Sequence, residues 1–200
     1  KFGADHKWGI FPSVSAAWGI SQEAFMEDVD WVSDLKLRAG WGVTGNQDGL
    51  TPYKTLELYG ANSKYYDNGK WLTDYKINQN ANPDLKWETT ITRNLGLDFT
   101  MLGGKLNGTI EAYLNTTKDL LINFPVGGTG YDTQYRNMGE TENKGLEVTL
   151  NWTAVNKKDW GLSFSANIGF NKNEITDLGI MDDFGAETYW ASSEIGNDFW

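Results

Sequence analysis

Apolar and polar residues alternate with a period of two along most of this 200-residue chain. In the clearest stretch, residues 160–170, the even positions hold Trp, Leu, Phe, Ala, Ile and Phe, and the odd positions hold Gly, Ser, Ser, Asn and Gly. Successive side chains of a β-strand point to opposite faces, so this period predicts strands with one apolar and one polar face. The alternation predicts six strands, at about 8–20, 35–46, 87–101, 105–118, 144–154 and 160–172.

The connections between these predicted strands differ in length. Residues 101–105 and 155–159 form short turns, in which Gly or Asn supplies positive φ. The links at about 47–86, 119–138 and 173–200 are long. The link at 21–34 is intermediate, with one helical turn predicted at 23–28 behind a Ser21 cap. Short turns at one end and long loops at the other are typical of outer-membrane β-barrels, whose strands need about 9–11 residues to cross the bilayer.

We therefore predict an all-β fold, an antiparallel meander of about six long strands. Period two leaves two architectures open, because a soluble sandwich buries its apolar face in a core whereas a membrane barrel turns it toward lipid. The polar faces are rich in Gly, Ser, Thr and Asn, which favours the barrel. Trp residues near predicted strand ends resemble an interfacial girdle and favour it too. These residues are Trp8, Trp18, Trp87, Trp152 and Trp160.

Two features qualify the barrel prediction. Arg93 lies on the apolar side of its strand, where an Arg facing lipid at the midplane costs about 2–4 kcal/mol. Six strands are also too few to close a membrane barrel, since the smallest have about 8. The barrel interpretation therefore predicts that these residues are a piece of a larger protein.

Composition argues against several other classes of function. Against 27 Asp and Glu, the chain has 17 Lys and Arg, and the formal net charge of −10 disfavours nucleic-acid binding. With no Cys and one His, thiolate zinc sites are excluded and a His-centred catalytic triad is disfavoured. Glu140, Glu142 and Glu147 lack the spacing of a calcium loop, and no carboxylate pair stands out as a glycosidase pair. We expect no enzyme, no metal site and no cofactor.

Two groups of residues are candidates for function. Charged residues on the predicted polar faces are expected to contact whatever fills a barrel lumen: Lys36, Arg38, Glu88, Asp98, Glu111 and Glu147. Aromatic residues in the long links are candidate substrate-binding residues, because rings beside polar side chains suit sugars. These are Tyr59, Tyr65, Tyr66, Trp71, Tyr75 and Trp190. The alternative for the second group is packing within the loop or contact with a partner protein.

A series of short motifs, in order and over nearly the whole chain, resembles the C-terminal barrel region of the SusC/RagA-like TonB-linked outer-membrane transporters of the Bacteroidetes. Each motif is weak alone, and their joint order and spacing carry the resemblance. The motifs are FPSVS at 11–15, LKLRA at 35–39, GVTGNQ at 42–47, NPDLKWET at 82–89, GLDF at 96–99, TKDLL at 117–121 and NMGETENKGLE at 137–147.

The resemblance implies a transmembrane barrel of 22 strands in the outer membrane of a Gram-negative cell, with residues 1–200 as a partial barrel domain. It implies a plug domain and a signal peptide that these residues do not contain. It also implies a SusD-like surface lipoprotein that captures an oligosaccharide or peptide substrate, and energy from TonB–ExbB–ExbD through the plug. The alternative function is that of a secreted carbohydrate-binding β-sandwich or adhesin.

Overall fold

The computed structural model of the protein describes residues 1–48, 50–126 and 133–179. These residues form ten β-strands and three single-turn 3₁₀ helices, at Ala4–His6, Ile20–Gln22 and Ala24–Met26. None of these helices is long or apolar enough to cross a membrane. The strands are β1 (Ser13–Gly19), β2 (Val32–Asn46), β3 (Leu58–Asp67), β4 (Lys70–Gln79), β5 (Glu88–Met101), β6 (Leu106–Lys118), β7 (Leu121–Pro125), β8 (Thr133–Asn137), β9 (Glu140–Asn156) and β10 (Gly161–Asp177).

The chain divides into two compact units. One, here the sheet unit, comprises Phe11–Thr44, Thr90–Thr116 and the described part of Thr141–Trp200. The other, here the connecting unit, comprises the described parts of Lys1–Ile10, Gly45–Thr89 and Thr117–Glu140. Strands in chain order β1-β2-β5-β6-β9-β10 form one six-stranded sheet, while β3-β4 and β7-β8 form separate hairpins.

The six-stranded meander confirms the predicted fold class, and each of its strands overlaps one of the six predicted strands. Its edges in the described chain are β1 and β10. The two predicted short turns are present. In the first, Leu102, Gly103 and Gly104 all have positive φ (56°, 63° and 85°), and in the second the amide of Lys157 donates to the carbonyl of Trp160 at 2.9 Å.

Several predicted boundaries are wrong by a few residues. The prediction placed the first strand at 8–20, but β1 begins at Ser13. Pro12 has no amide proton to donate to a neighbouring strand, although its carbonyl accepts from Val43 at 2.9 Å. The alternating residues upstream of Pro12 are therefore not part of β1, and Trp8 is 94% exposed. In contrast, β9 and β10 each reach 17 residues, longer than predicted.

The helical turn predicted at 23–28 is also wrong in detail. The chain there forms two 3₁₀ turns, and neither has a side-chain cap. Ser21 instead donates its hydroxyl to Asp34 at 3.2 Å, so the residue assigned as the cap bonds to the start of β2. Trp87 departs from the predicted girdle as well: it is half-buried and stacks on Phe2, with ring centroids 4.4 Å apart.

The sheet unit has one apolar face that stays exposed. Cross-strand pairs such as Val14–Trp41 and Trp18–Leu37 place these side chains on a common face. Few apolar side chains of this unit are buried, namely Phe99, Ile175 and Leu178. Exposed large apolar residues continue along the later strands: Leu95, Ile110, Leu146, Leu150, Trp152, Leu162, Phe164, Ile168 and Phe170. Within the described residues the sheet is therefore a single layer with an uncovered apolar surface.

Arg93 remains on this apolar face, because two-residue steps relate it to Leu95 and Leu97 within β5. The sequence left open a shift in the alternation near Arg93. In the structure β5 is continuous from Glu88 to Met101. Arg93 is exposed as a residue, and its guanidinium donates to the hydroxyl of Thr116 at 3.2 Å. Thr116 is itself buried, so the charge has a fixed hydrogen-bond partner at the surface of the sheet.

The connecting unit has a small core of its own. Leu50, Leu85 and Val126 are buried, and Leu85 has no exposed surface. The amide of Gly3 donates to the carbonyl of Leu85 at 2.9 Å, which ties the N-terminal segment to the NPDLKWET stretch. The strands β3, β4, β7 and β8 are regular structure, missed by the prediction, within links that the sequence predicted only as long connections.

Candidate functional site

The β3–β4 hairpin brings the predicted substrate-binding residues together. Its turn is Asn68-Gly69, with φ of 46° and 80°, between the paired residues Asp67 and Lys70. A two-residue turn with both φ values positive matches the twist of antiparallel strands, and Asn-Gly is the sequence that adopts it most readily. The Asn68-Gly69 dipeptide could have predicted this hairpin from the sequence, but a prediction based on alternation alone overlooked it.

Four of the candidate aromatic residues share one face of this hairpin. Tyr66 pairs with Trp71, and Tyr75 and Ile77 lie on the same face as Trp71 because two-residue steps separate them. Tyr59 pairs with Ile77 and so joins them. The side chains of Tyr59, Tyr66, Trp71 and Tyr75 are 62% to 69% exposed. We call this set the aromatic face.

A bulge in β3 creates this grouping. Ala61 pairs with Tyr75 and Lys64 pairs with Thr73, so three steps along β3 match two steps along β4. One extra residue reverses the alternation, which puts Tyr59 and Tyr66 on the same face although seven positions separate them. Residue spacing in the sequence alone does not reveal this.

The other two predicted residues do not belong to the aromatic face. Tyr65 pairs with Leu72 and points to the opposite side of the hairpin. That side is polar, with Asn62 donating to Asp74 at 3.0 Å. Trp190 lies outside the described residues.

The aromatic face suits contact with ring-shaped or extended ligands. The rings of Tyr66 and Trp71 meet edge to face, with centroids 5.4 Å apart and an interplanar angle of 64°. Lys64 and Thr73 lie between these rings and Tyr75, so polar groups stand beside the ring planes. Aromatic planes with adjacent hydrogen-bonding groups bind both sugar rings and peptide side chains.

The polar face of the sheet carries a second candidate site. Arg38 donates two hydrogen bonds to the Asp98 carboxylate, at 2.7 and 3.0 Å. The hydroxyl of Thr109 also donates to Asp98, at 3.2 Å, and Glu111 lies 3.6 Å from the Arg38 guanidinium. The planar guanidinium of Arg38 thus contacts both the Asp98 and the Glu111 carboxylates on this face. Three of the six charged residues predicted for the lumen thus form one network.

The other predicted charged residues lie elsewhere. Glu88 belongs to the connecting unit, where it accepts from the side chain of Asn46 at 2.9 Å and from the amide of Leu121 at 3.3 Å. Lys36 and Glu147 are exposed and form no ion pair with any residue that the structure describes.

Sequence reasoning missed Tyr113 on the polar face. Its ring lies against Gly145, where a side chain would collide with it, and its hydroxyl donates to Asn171 at 3.1 Å. A ring of β6 thus crosses β9 and reaches β10. The signal for this contact is a Gly on one strand facing a Tyr on the next. Alternation does not reveal it, because neither residue changes the apolar–polar period.

Two of the three carboxylates weighed as a calcium site are paired with lysines. Glu140 pairs with Lys118 at 2.9 Å, and Glu142 pairs with Lys144 at 2.8 Å. Across the described ranges, no three acidic, His or Cys side chains gather in a way that could hold a metal ion.

Comparisons with known proteins identify the family. Residues 1–194 match the family model "TonB dependent receptor-like, beta-barrel". The chain is 42% identical over 188 residues to the TonB-dependent receptor SusC of Bacteroides thetaiotaomicron, which covers 92% of this chain and 19% of SusC. It is 37% identical over 183 residues to the TonB-dependent receptor P26 of Formosa agariphila, covering 90% and 18% respectively.

Solved structures show the same relationship. The fold matches a chain in the structure of the RagAB peptide transporter with a TM-score of 0.84 and 31% identity, covering 98% of this chain and 21% of that one. For the RagAB peptide importer in its closed-closed state, the TM-score is 0.85 at 31% identity, with 98% and 22% covered. The chain thus spans about a fifth of the length of these relatives. The relatives are receptors and not enzymes, which confirms that expectation, and the chain belongs to the TonB-dependent receptor-like β-barrel family.

Proposed function

We propose that the chain is a wall segment of an outer-membrane importer, in which the six-stranded sheet continues into a closed barrel of about 22 strands, as the family resemblance implies. The observation that carries this proposal is the exposed apolar face of a single-layer sheet. A sandwich covers such a face with a second sheet, whereas lipid covers it in a membrane barrel. The long connections then lie outside the cell and the short turns lie in the periplasm.

The polar face of the sheet lines the lumen in this proposal. The Arg38–Asp98–Thr109 network holds charged groups on that face, where a plug domain elsewhere in the protein contacts them. Energy for import comes from TonB–ExbB–ExbD through the plug. The support is that Arg38, Asp98 and Thr109 bond to each other across three strands of the sheet.

The substrate in this proposal is an oligosaccharide or a peptide, delivered by a SusD-like surface lipoprotein. The aromatic face supports it, because four exposed rings on one side of a hairpin form a surface broad enough for several sugar or amino-acid units. The names of the relatives support an oligomeric cargo, since RagAB is described as a peptide transporter.

The experiment replaces the aromatic face in the full-length protein. We expect the double variant Tyr66→Ala/Trp71→Ala to weaken substrate binding at least tenfold, because each stacked ring contributes about 0.5–1.5 kcal/mol beyond its buried area. Isothermal titration in detergent, with the oligosaccharide or peptide on which the source cell grows, measures the change.

The matched control is Tyr65→Ala/Leu72→Ala, which removes a cross-strand pair from the opposite face of the same hairpin. Equal losses in the two double variants would show that the hairpin matters only as a folded element. Unchanged affinity in Tyr66→Ala/Trp71→Ala would remove the aromatic face from the substrate site.

Membrane fractionation tests the location independently. We expect the full-length protein in the outer-membrane fraction, extractable by detergent and not by high salt. Recovery as a soluble monomer would favour the secreted β-sandwich or adhesin and overturn the barrel proposal.

A further inference from the structure

A cleft of about 490 Å³ lies within the connecting unit, where residues 81–86 meet β8. It is separate from the aromatic face, since no residue of β3 or β4 lines it. A cleft of this volume has room for one or two residues of an oligomeric ligand.

Side-chain amides fix the walls of this cleft. Asn82 donates to the carbonyl of Tyr135 at 2.7 Å, and Gln134 donates to the carbonyl of Ala81 at 2.6 Å. Asn137 accepts from and donates to the backbone of the facing segment, at 2.8 Å in both directions. These amides are therefore committed to the protein, and the cleft is held in shape before any ligand arrives.

Among the described residues, Arg136 is the cation of the cleft that has no ion pair, although Asp84 also lines the cleft. Its Nε donates to the side-chain oxygen of Gln134 at 2.8 Å, and its guanidinium carbon lies 4.9 Å from the centre of the Phe124 ring. Among the described residues, no carboxylate forms an ion pair with it. Lys86, the other cation lining the cleft, is paired with Asp119 at 2.9 Å.

Arg136 differs from most other cations of the described chain in being half-buried without an ion pair. Among the described Lys and Arg residues, those without an ion pair are exposed, with the exceptions of Lys54 and Arg136. Lys54 lies over the ring of Tyr135 at 4.3 Å but does not line the cleft. A half-buried charge loses hydration, so a guanidinium that lines a fixed cleft without an ion pair among the described residues is stabilised when an anion binds beside it.

We infer that this cleft binds a carboxylate of the substrate through the two terminal amino groups of Arg136. The guanidinium fork matches a carboxylate in a bidentate way, and Phe124 and Gln134 set the plane of that fork. The inference rests on the proposed function, since it assigns a chemical class to the imported oligomer.

Two sources supply the same carboxylate chemistry, namely a peptide C-terminus and an acidic sugar. The experiment therefore uses two probe pairs on the full-length protein in detergent: an N-acetylated hexapeptide with a free or an amidated C-terminus, and an oligogalacturonate with free or methyl-esterified carboxyls. We expect one pair to show at least tenfold tighter binding of its charged member, and the responding pair identifies the source.

Variants then assign the preference to Arg136. We expect Arg136→Gln to abolish the preference for the charged member and Arg136→Lys to keep part of it, because Lys retains the charge without the fork. The matched control, Lys54→Gln, removes one positive charge on the opposite face of β8 and should keep the preference. A thermal unfolding curve checks that each variant is folded, and Arg136→Lys carries the test if Arg136→Gln does not fold.

Three outcomes overturn the inference: a preference that persists in Arg136→Gln, equal affinities within both pairs, or no binding of any probe at millimolar concentration. Import that proceeds without carboxylate preference would overturn this inference alone and leave the proposed function standing. Recovery of the protein outside the outer membrane would overturn the proposed function, while carboxylate binding stays measurable in detergent.

Discussion

The six-stranded sheet and the β3–β4 hairpin both expose large apolar side chains, but their chemistry differs. On the sheet, the exposed residues are mainly Leu, Ile, Val and Phe in the strand interiors, with Trp152 and Trp160 near the strand ends. On the hairpin, the aromatic face consists of Tyr and Trp, each with a polar atom on its ring. Exposure of the first kind calls for an apolar surrounding, whereas exposure of the second kind suits a ligand or partner that forms hydrogen bonds.

Charge on the apolar face of the sheet should have the largest effect. We expect Leu150→Arg in β9 to cost about 2–4 kcal/mol at the centre of the bilayer and to sharply reduce the amount of folded barrel in the outer membrane. The control, Thr149→Arg, places the same charge on the polar face one residue away and should assemble normally. Heat-modifiable migration on gels after membrane fractionation measures both, and equal behaviour would contradict the assignment of faces.

A smaller effect is expected from packing on the polar face. A Cβ at Gly145 would collide with the Tyr113 hydroxyl and would lie 2.7 Å from the carbonyl oxygen of Phe170. Gly145→Ala should therefore destabilise the barrel by about 1–3 kcal/mol. Gly169→Ala is the control, because its Cβ would meet only the Glu147 Cγ, at 3.7 Å. Thermal unfolding in detergent compares the two, and equal midpoints would show that Tyr113 does not hold these strands together.

The smallest effect is expected in the hairpin turn. Gly69 has a φ of 80°, and a Cβ added to it would meet no atom within 4 Å, so Gly69→Ala costs only backbone strain, about 1 kcal/mol. The loss should be local: hydrogen exchange of β3 and β4 should speed up, while the unfolding midpoint of the barrel stays the same. A matching drop in that midpoint would show that the hairpin and the sheet unfold together.

Alternation predicted the sheet well because successive side chains of a strand point to opposite faces. A sheet with one apolar and one polar face therefore needs an apolar residue at every second position. Leu162 to Phe170 shows this plainly, and β10 lies where it was expected. The failures occur where backbone chemistry outweighs the pattern. Pro12 delays β1 although apolar alternation begins at Trp8, and Asn68-Gly69 forms a hairpin inside a stretch whose alternation is weak.

The candidate sites were predictable only in part. Ring chemistry selected Tyr59, Tyr66, Trp71 and Tyr75 as candidates for substrate binding, which stays a prediction. Assigning Tyr65 to the opposite side of the hairpin required the register of β3 against β4. The Arg38–Asp98 pair needed contacts between residues 60 positions apart, which one sequence does not reveal. Arg136 was missed because neither its neighbours in the sequence nor its spacing from other charged residues indicates that no described carboxylate pairs with it.

The bulge in β3 absorbs one residue that a regular strand has no place for. Removing Asn62 or Ser63 would reduce the separation of Tyr59 and Tyr66 to an even number of positions, which keeps both rings on one face of a regular strand. The hairpin would therefore display the same rings after a single-codon deletion at this point. The bulge marks a place where the gene can lose a codon while the surface that the protein presents stays the same.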